Sequence, residues 1–246
     1  MEEYKILIIT IMFVCIIAIY IWIKLVERKI HLNEIKQFEQ FRGKRDLILS
    51  KAHEDKGIYG EFKVFKVFNK YFGENAKIFN SVYLPKENNK VTEVDLIAIN
   101  EKSIFVVEVK NLYGIITGNK EDKYWKQQLN DSLVEELYNP IIQNQNHIKY
   151  LKKNLDLARY NLSDKNIYSL IVFGEKSNIN SVRYNESNIK IINISELENT
   201  LDQIIGDNPI ILKQTQIEEI SSIIKKFEDV DSQVIENHIN DILEYY

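Results

Sequence analysis

Cysteine is nearly missing from this 246-residue chain: Cys15 stands alone, which excludes an intrachain disulfide and any cysteine-built zinc site. Proline occurs three times and glycine eight times, too seldom for collagen-like or low-complexity sequence, and 45% hydrophobic residues argue for ordered globular structure. An excess of positive charge is also lacking. The net charge of −4 and a pI near 5.7 supply no bulk attraction for nucleic acid. That average conceals an asymmetry, since residues 24–70 carry twelve Lys/Arg against seven Asp/Glu whereas residues 214–246 carry two against eight. Missing too are a Gly-rich phosphate loop ending in Lys-Ser/Thr, a His-Glu-x-x-His pair and a nucleophile elbow, so the chemistries built on them have no footing.

What is present begins with residues 6–23, 18 residues without a charge, just long enough to cross a bilayer as a helix. A cleavable signal peptide wants a basic start, a shorter apolar core and a small-residue cleavage site, whereas this chain opens Met-Glu-Glu-Tyr-Lys. A transmembrane anchor is therefore expected. Lys24, Arg28 and Lys29 follow the span directly and Glu2 and Glu3 precede it, which puts residues 1–5 outside and the C-terminal bulk in the cytoplasm. Tyr20 and Trp22 suit the interface on that side.

Residues 24–55 read as a charged helical linker, with Leu25, Ile30, Ile35, Phe38, Phe41, Leu47 and Ile48 at roughly helical spacing. A domain over residues 56–206 and an acidic helical tail over 207–246 complete the expected organisation. Within the domain, Phe62, Phe65, Val67, Phe68 and Phe72 mark an amphipathic helix ending near Gly73, with Glu61 in its first turn. Strands are predicted at residues 76–84, 92–99, 104–111 and 115–117, forming a meander, and further on at 168–173 and 189–194. Residues 120–139 read as a polar stretch holding Trp125, a core residue by default. A helix is predicted from Pro140, placing Gln143, His147 and Leu151 on one stripe, and Ser195 is expected to cap another through Ile205. A last helical region is expected over residues 213–227.

The chemistry-bearing residues sit where apolar ones belong. Glu93-Val-Asp95 opens one strand, and Val106-Val-Glu108-Val-Lys110 closes the next. Alternation puts Ile104, Val106, Glu108 and Lys110 on one face, and the polar turn at residues 100–103 lets the two strands pair as a hairpin. Two carboxylates and a lysine thus converge, at a burial cost of several kcal/mol unless something compensates. Two readings follow: a divalent-cation site, or a structural ion pair of the carboxylates with Lys110. Glu61 is equally readable as a helix N-terminal charge favoured by the dipole. Gln143 is readable as a bridge between backbone groups, and His147 as a packing residue.

The order of Glu on a helix, Asp in a strand, Glu-x-Lys in the next strand, Gln on the following helix and then a buried strand resembles the PD-(D/E)XK nuclease superfamily. More narrowly, Gly57-x-x-Gly60-Glu61, Glu93-Val-Asp95, Val107-Glu-Val-Lys-Asn111, Gly114-Ile-Ile-Thr-Gly118, Trp125 and Asn139-Pro-Ile-Ile-Gln143 with His147 resemble the nuclease-related domain (NERD) family. Val94 departs from the superfamily pattern, which has proline there. The resemblance implies an α/β fold, a restriction-endonuclease-like α/β/α core with a central mixed sheet, and hydrolysis of phosphodiester bonds, with DNA the expected partner. It further implies Mg²⁺, replaceable by Mn²⁺, on Asp95, Glu108 and the Val109 carbonyl. Lys110 would orient or deprotonate the water, Glu61 would join the metal directly or through water, and Gln143 would hold the geometry. Lys149, Lys152 and Lys153, with Arg159, and Lys120, Lys123 and Lys126 before them, are the candidate phosphate contacts. The competing reading is a catalytically silent module that binds nucleic acid or scaffolds a protein partner at the membrane.

Overall fold

The computed structural model describes residues 1–43, 45, 47–228 and 230–243. It comprises two compact units, Met1–Leu49 and Ser50–Tyr246.

The first unit is dominated by a single helix, α1 (Glu2–Arg42). No break separates the apolar run from the charged residues after it, so the span continues as one helix through residues 24–42 of the expected linker and stops at Gly43, where φ is 54°. At 1.5 Å per residue the uncharged part reaches about 27 Å, close to the thickness of a hydrocarbon core. It is the one helix among the described residues long and apolar enough to cross a membrane.

The second unit is a three-layer α/β/α sandwich. A short helix, α2 (Leu49–Glu54), leads to α3 (Lys56–Phe72), whose cap is Asp55, accepting from the Ile58 N–H at 3.0 Å. Then come β1 (Lys77–Pro85), β2 (Val91–Ile99) and β3 (Ile104–Lys110), antiparallel to one another as the meander requires. The predicted turn is real: Asn100 Oδ1 accepts from the backbone of Lys102 and Ser103. Helix α4 (Pro140–Leu155) carries the chain back, so that β7 (Ile167–Phe173) pairs parallel to β3 and β9 (Ile189–Asn193) parallel to β7. The mixed sheet order is β1-β2-β3-β7-β9, and its pattern of helix, three antiparallel strands, helix and parallel strand gives the expected α/β core with a central mixed sheet.

Alternation along β3 decides which helix meets which face. Val106, with Phe79, Ile97 and Ile99, packs under Leu151 and Leu155 of α4 and under Ile217, Ile220 and Ile224 of α6 (Gln214–Glu228). Phe105 on the other face meets Phe68 and Phe72 of α3 edge-on or tilted, at 5.9 Å between ring centres. Alongside α3 lies α5 (Leu197–Asp207), tied to it by Lys70–Glu198 at 2.6 Å. The last helix is α7 (Ser232–Leu243).

Several expectations are corrected. The polar stretch over residues 120–139 contains two strands, β5 (Tyr124–Gln128) and β6 (Val134–Tyr138). With β4 (Gly114–Asn119) and β8 (Ser177–Arg183) they form a second sheet ordered β6-β5-β4-β8, so β4 leaves the meander. These strands are short and face solvent on one side, so neither apolar runs nor strict alternation announce them. Helix α5 is not capped by Ser195: a 3-10 turn over Ile194–Glu196 precedes it, and the Asn193 N–H donates to Glu196 at 2.9 Å. Glu61 is not in the first turn of α3, because the helix starts at Lys56.

Trp125 is fully buried in the second sheet's core and donates its indole N–H to the Asn119 carbonyl at 2.8 Å. A Cβ on Gly118 would lie 2.2 Å from the Trp125 ring, which explains the glycine that precedes it in the motif. Gly118→Ala is therefore expected to cost about 1–3 kcal/mol by overpacking. The check is the urea unfolding midpoint, which should fall with the slope unchanged.

Candidate functional site

The site forms at the end of the mixed sheet where β3 finishes and β2 begins. The β1–β2 ladder runs from Lys77↔Ile99 to Asn80↔Leu96 and resumes at Val82↔Val94, skipping Ser81 and Asp95. Ser81 is buried with φ at 50°, a left-handed conformation rare for residues other than glycine. Phe79 and Val82, three residues apart, enter the same core cluster, as do Val94 and Ile97, so alternation slips in both strands at this point. The β2–β3 pairing also ends at Leu96↔Val107. Asp95 takes over where the ladder stops, its Oδ2 accepting the Val109 N–H at 2.7 Å.

Glu108 and Lys110 project from β3 toward α4. Their side chains touch at 2.6 Å, with the Glu108 side chain only 2% exposed. Lys110 also donates to Gln143 Oε1 at 3.1 Å, and His147 Nδ1 lies 3.5 Å from Glu108 Oε2. Helix α4 can offer these groups because polar anchors hold it in place. Asn139 caps it, accepting from the Ile141 N–H at 2.9 Å, while its amide donates to three carbonyls of the 119–122 turn. Asn144, fully buried, donates to the Val106 carbonyl at 2.9 Å and to Ser169 at 2.8 Å. Asn144 escaped the sequence reading, although an asparagine on the buried stripe of an amphipathic helix was its signal.

On the other side, Asn111 fixes α3 to the end of β3. A Cβ on Gly60 would lie 2.5 Å from the Asn111 Cβ, and one on Gly174 would lie 2.6 Å from its side-chain oxygen. Asn111 donates to the Lys56 carbonyl at 2.7 Å. This close approach brings Glu61 near enough for its charge to act on Asp95.

The electrostatics are those of an anionic hole. Burial, then the charges of Glu108 and Glu61, hold the Asp95 carboxyl well above the usual carboxylate range, against the opposing pull of Lys110 and the Val109 N–H. Within the protein Glu108 Oε2 is buried without a hydrogen-bond partner. Burial lowers His147 to about 4, leaving its imidazole neutral at physiological pH. Among the described residues no three His, Cys, Asp or Glu side chains form a ready-made metal cage. The donor set of Asp95 and Glu108 is nonetheless all oxygen, with one carboxylate oxygen unpartnered and the negative charges mutually repelling, which fits a hard divalent cation.

The predicted residues are thus sorted by the structure. Asp95, Glu108, Lys110, Gln143 and His147 converge, with Glu61 acting at longer range. Val109 contributes its N–H to Asp95, and its side chain lies on the opposite face beside Gly60 and Val64. The helix-dipole reading of Glu61 is weakened by its place beyond the first turn, where that effect fades. Two of the α4 lysines are ion-paired, Lys152 with Asp164 and Lys153 with Glu87 at 2.8 Å, while Lys149 lies over the Tyr150 ring. Lys120 pairs with Glu186, and Arg159 with Glu219 at 3.4 Å.

Lys153 and Tyr150, through their hydrogen bonds, lower the Glu87 carboxyl from 4.5 to about 2. A depressed carboxyl contributes stability that is present above its unfolded pKa and is lost as pH falls through the folded one. Lys153→Ala should therefore move Glu87 up toward its ordinary value. The native chain should be more stable than the variant above about pH 4.5, and the difference should vanish as pH falls toward 2. NMR titration of the Glu87 side chain checks this.

The domain thus has a mixed α/β core with paired carboxylates and a lysine at its sheet end. Residues 56–174 match the family model for the nuclease-related domain (NERD). An uncharacterized protein of Bacillus anthracis is 22% identical over 184 residues, covering 75% of this chain and 82% of that protein. Among solved structures, the small subunit of the heterodimeric restriction endonuclease R.BspD6I aligns over 80% of this chain and 94% of its own, at 11% identity and a TM-score of 0.29.

Proposed function

We propose that the chain is a membrane-anchored nuclease that hydrolyses phosphodiester bonds of DNA with Mg²⁺, Mn²⁺ substituting, at the cytoplasmic face of the membrane. The observation that carries this reading is the meeting of Asp95, Glu108 and Lys110 at one sheet end, where Glu61 and Glu108 repel the Asp95 carboxylate. Repulsion of this kind lowers stability and finds its use when a cation arrives. Held by Asp95, Glu108 and the Val109 carbonyl, Mg²⁺ would offset charge growing on the phosphate and make water a stronger nucleophile. Lys110 is positioned from both sides, by Glu108 at 2.6 Å and Gln143 at 3.1 Å, where its ammonium would meet the attacking water or a phosphate oxygen. Glu61 adds negative charge that draws the cation in. The span in α1, with Lys24, Arg28 and Lys29 after it and Glu2 and Glu3 before it, supports the anchor and its orientation.

The test uses the full chain in detergent, incubated with single-stranded and duplex DNA and RNA. Cleavage is expected with Mg²⁺, none with EDTA, and none from Asp95→Asn. Cutting that survives both chelation and Asp95→Asn removes the reading. Nucleic-acid binding without cleavage under any metal would make the domain a silent module instead.

A further inference from the structure

A second feature lies just past the end of β3, on the α3 side. Lys56, Tyr59 and Lys63 occupy one stripe of α3, spaced by three and four residues. Across from them stand Tyr113 from the β3–β4 loop and Lys176 from the turn after β7, with Asn111 between. Together with Leu112 and Glu175 they enclose a cleft of about 450 Å³, within the range of ordinary ligand sites. Lys56 Nζ rests 5.5 Å from the centre of the Tyr113 ring, and Lys63 Nζ rests 5.2 Å from that of Tyr59. Among the described residues, no carboxylate lies within ion-pair distance of Lys56, Lys63 or Lys176, whereas Lys152 and Lys153 of α4 are both paired. Three lysines without a carboxylate partner therefore line this cleft.

Tyr113 is 46% exposed, a solvent-facing ring in a basic cleft. An exposed ring and a half-buried one among lysines suit a nucleic acid whose bases are unstacked: ammonium groups take phosphates and the rings take base faces. A duplex keeps its bases stacked inward and could use only the lysines. Asn111, which floors the cleft, directly follows Lys110 in sequence and is locked between Gly60 and Gly174.

We propose that this cleft binds single-stranded nucleic acid, taking the strand that extends from the carboxylate site, with Tyr113 and Tyr59 contacting bases and Lys56, Lys63 and Lys176 contacting phosphates. The proposal rests on the nuclease reading for its direction of approach, and its test is kept independent of turnover. In the full chain in detergent, carrying Asp95→Asn so that no substrate is consumed, binding of labelled oligothymidylate, oligouridylate and a duplex is followed by fluorescence anisotropy. Tyr113→Ala is expected to weaken binding of the single strands by about 5- to 100-fold and to leave duplex binding nearly unchanged. Tyr113→Phe, which keeps the ring, should retain the native affinity. Lys63→Ala should lower the salt dependence of single-strand binding by about 0.7 in the logarithmic slope.

Unchanged affinity for both single strands in Tyr113→Ala, or an equal loss on duplex and single strand, overturns the proposal. The expected shift in a chain that proves unable to cleave would uphold the cleft and remove the nuclease reading. Cleavage by the chain bearing native Asp95, without the shift, would do the reverse.

Discussion

Asp95→Asn is expected to lower metal-dependent cleavage by on the order of 10³-fold while raising, not lowering, the unfolding temperature of the metal-free protein. The substitution keeps an oxygen to accept the Val109 N–H and removes a charge that burial, Glu108 and Glu61 all disfavour. Each kcal/mol of repulsion relieved should raise Tm by about 2–4 °C in a domain of this size. Loss of activity coupled to a gain in stability is the signature of a residue kept for function. A Tm that falls by several degrees would instead mark Asp95 as a structural hydrogen-bond acceptor. Mg²⁺ should raise the Tm of the native protein and have little effect on the variant.

Lys110→Ala should also remove cleavage, by about 10²–10³-fold, but with the opposite effect on stability. It leaves Glu108, whose side chain is only 2% exposed, without its 2.6 Å cation. Breaking a buried pair from one side costs about 3–5 kcal/mol. Lys110→Arg separates the two roles: a guanidinium can neutralise Glu108 and recover the stability, but cannot place a single ammonium on Gln143 and the attacking water. Recovery of both stability and cleavage in Lys110→Arg would reduce Lys110 to a counter-charge. Thermal unfolding and a cleavage assay on the same preparations decide between them.

The site was legible because its residue types violate the pattern around them. Glu108 and Lys110 interrupt a run of Ile, Phe and Val, and period-two alternation alone places them side by side, as the structure has them. Gln143 and His147 followed from helical spacing after Pro140. Phosphate contacts were harder to read. A lysine run on α4 looks cationic in sequence, yet Asp164 and Glu87, distant in the chain, neutralise two of its members. Lys56, Lys63 and Lys176 come from two separate elements and have no shared pattern until α3 packs against the end of β3. Strands β5, β6 and β8 were missed because short, half-exposed strands owe their formation to neighbours in the sheet more than to their own composition.

By itself, then, the sequence determined the membrane-length apolar helix, the order of the core elements and the identity of the charged pair, since each depends on local periodicity or on residue type. Only the tertiary structure decided which charges remain unpaired, that Ser81 and Asp95 sit at a lapse in the β1–β2 ladder, and that glycines at 60 and 174 let Asn111 draw Glu61 toward the site. These are contacts between residues far apart in the chain, and their energies arise from burial and proximity that no local pattern encodes.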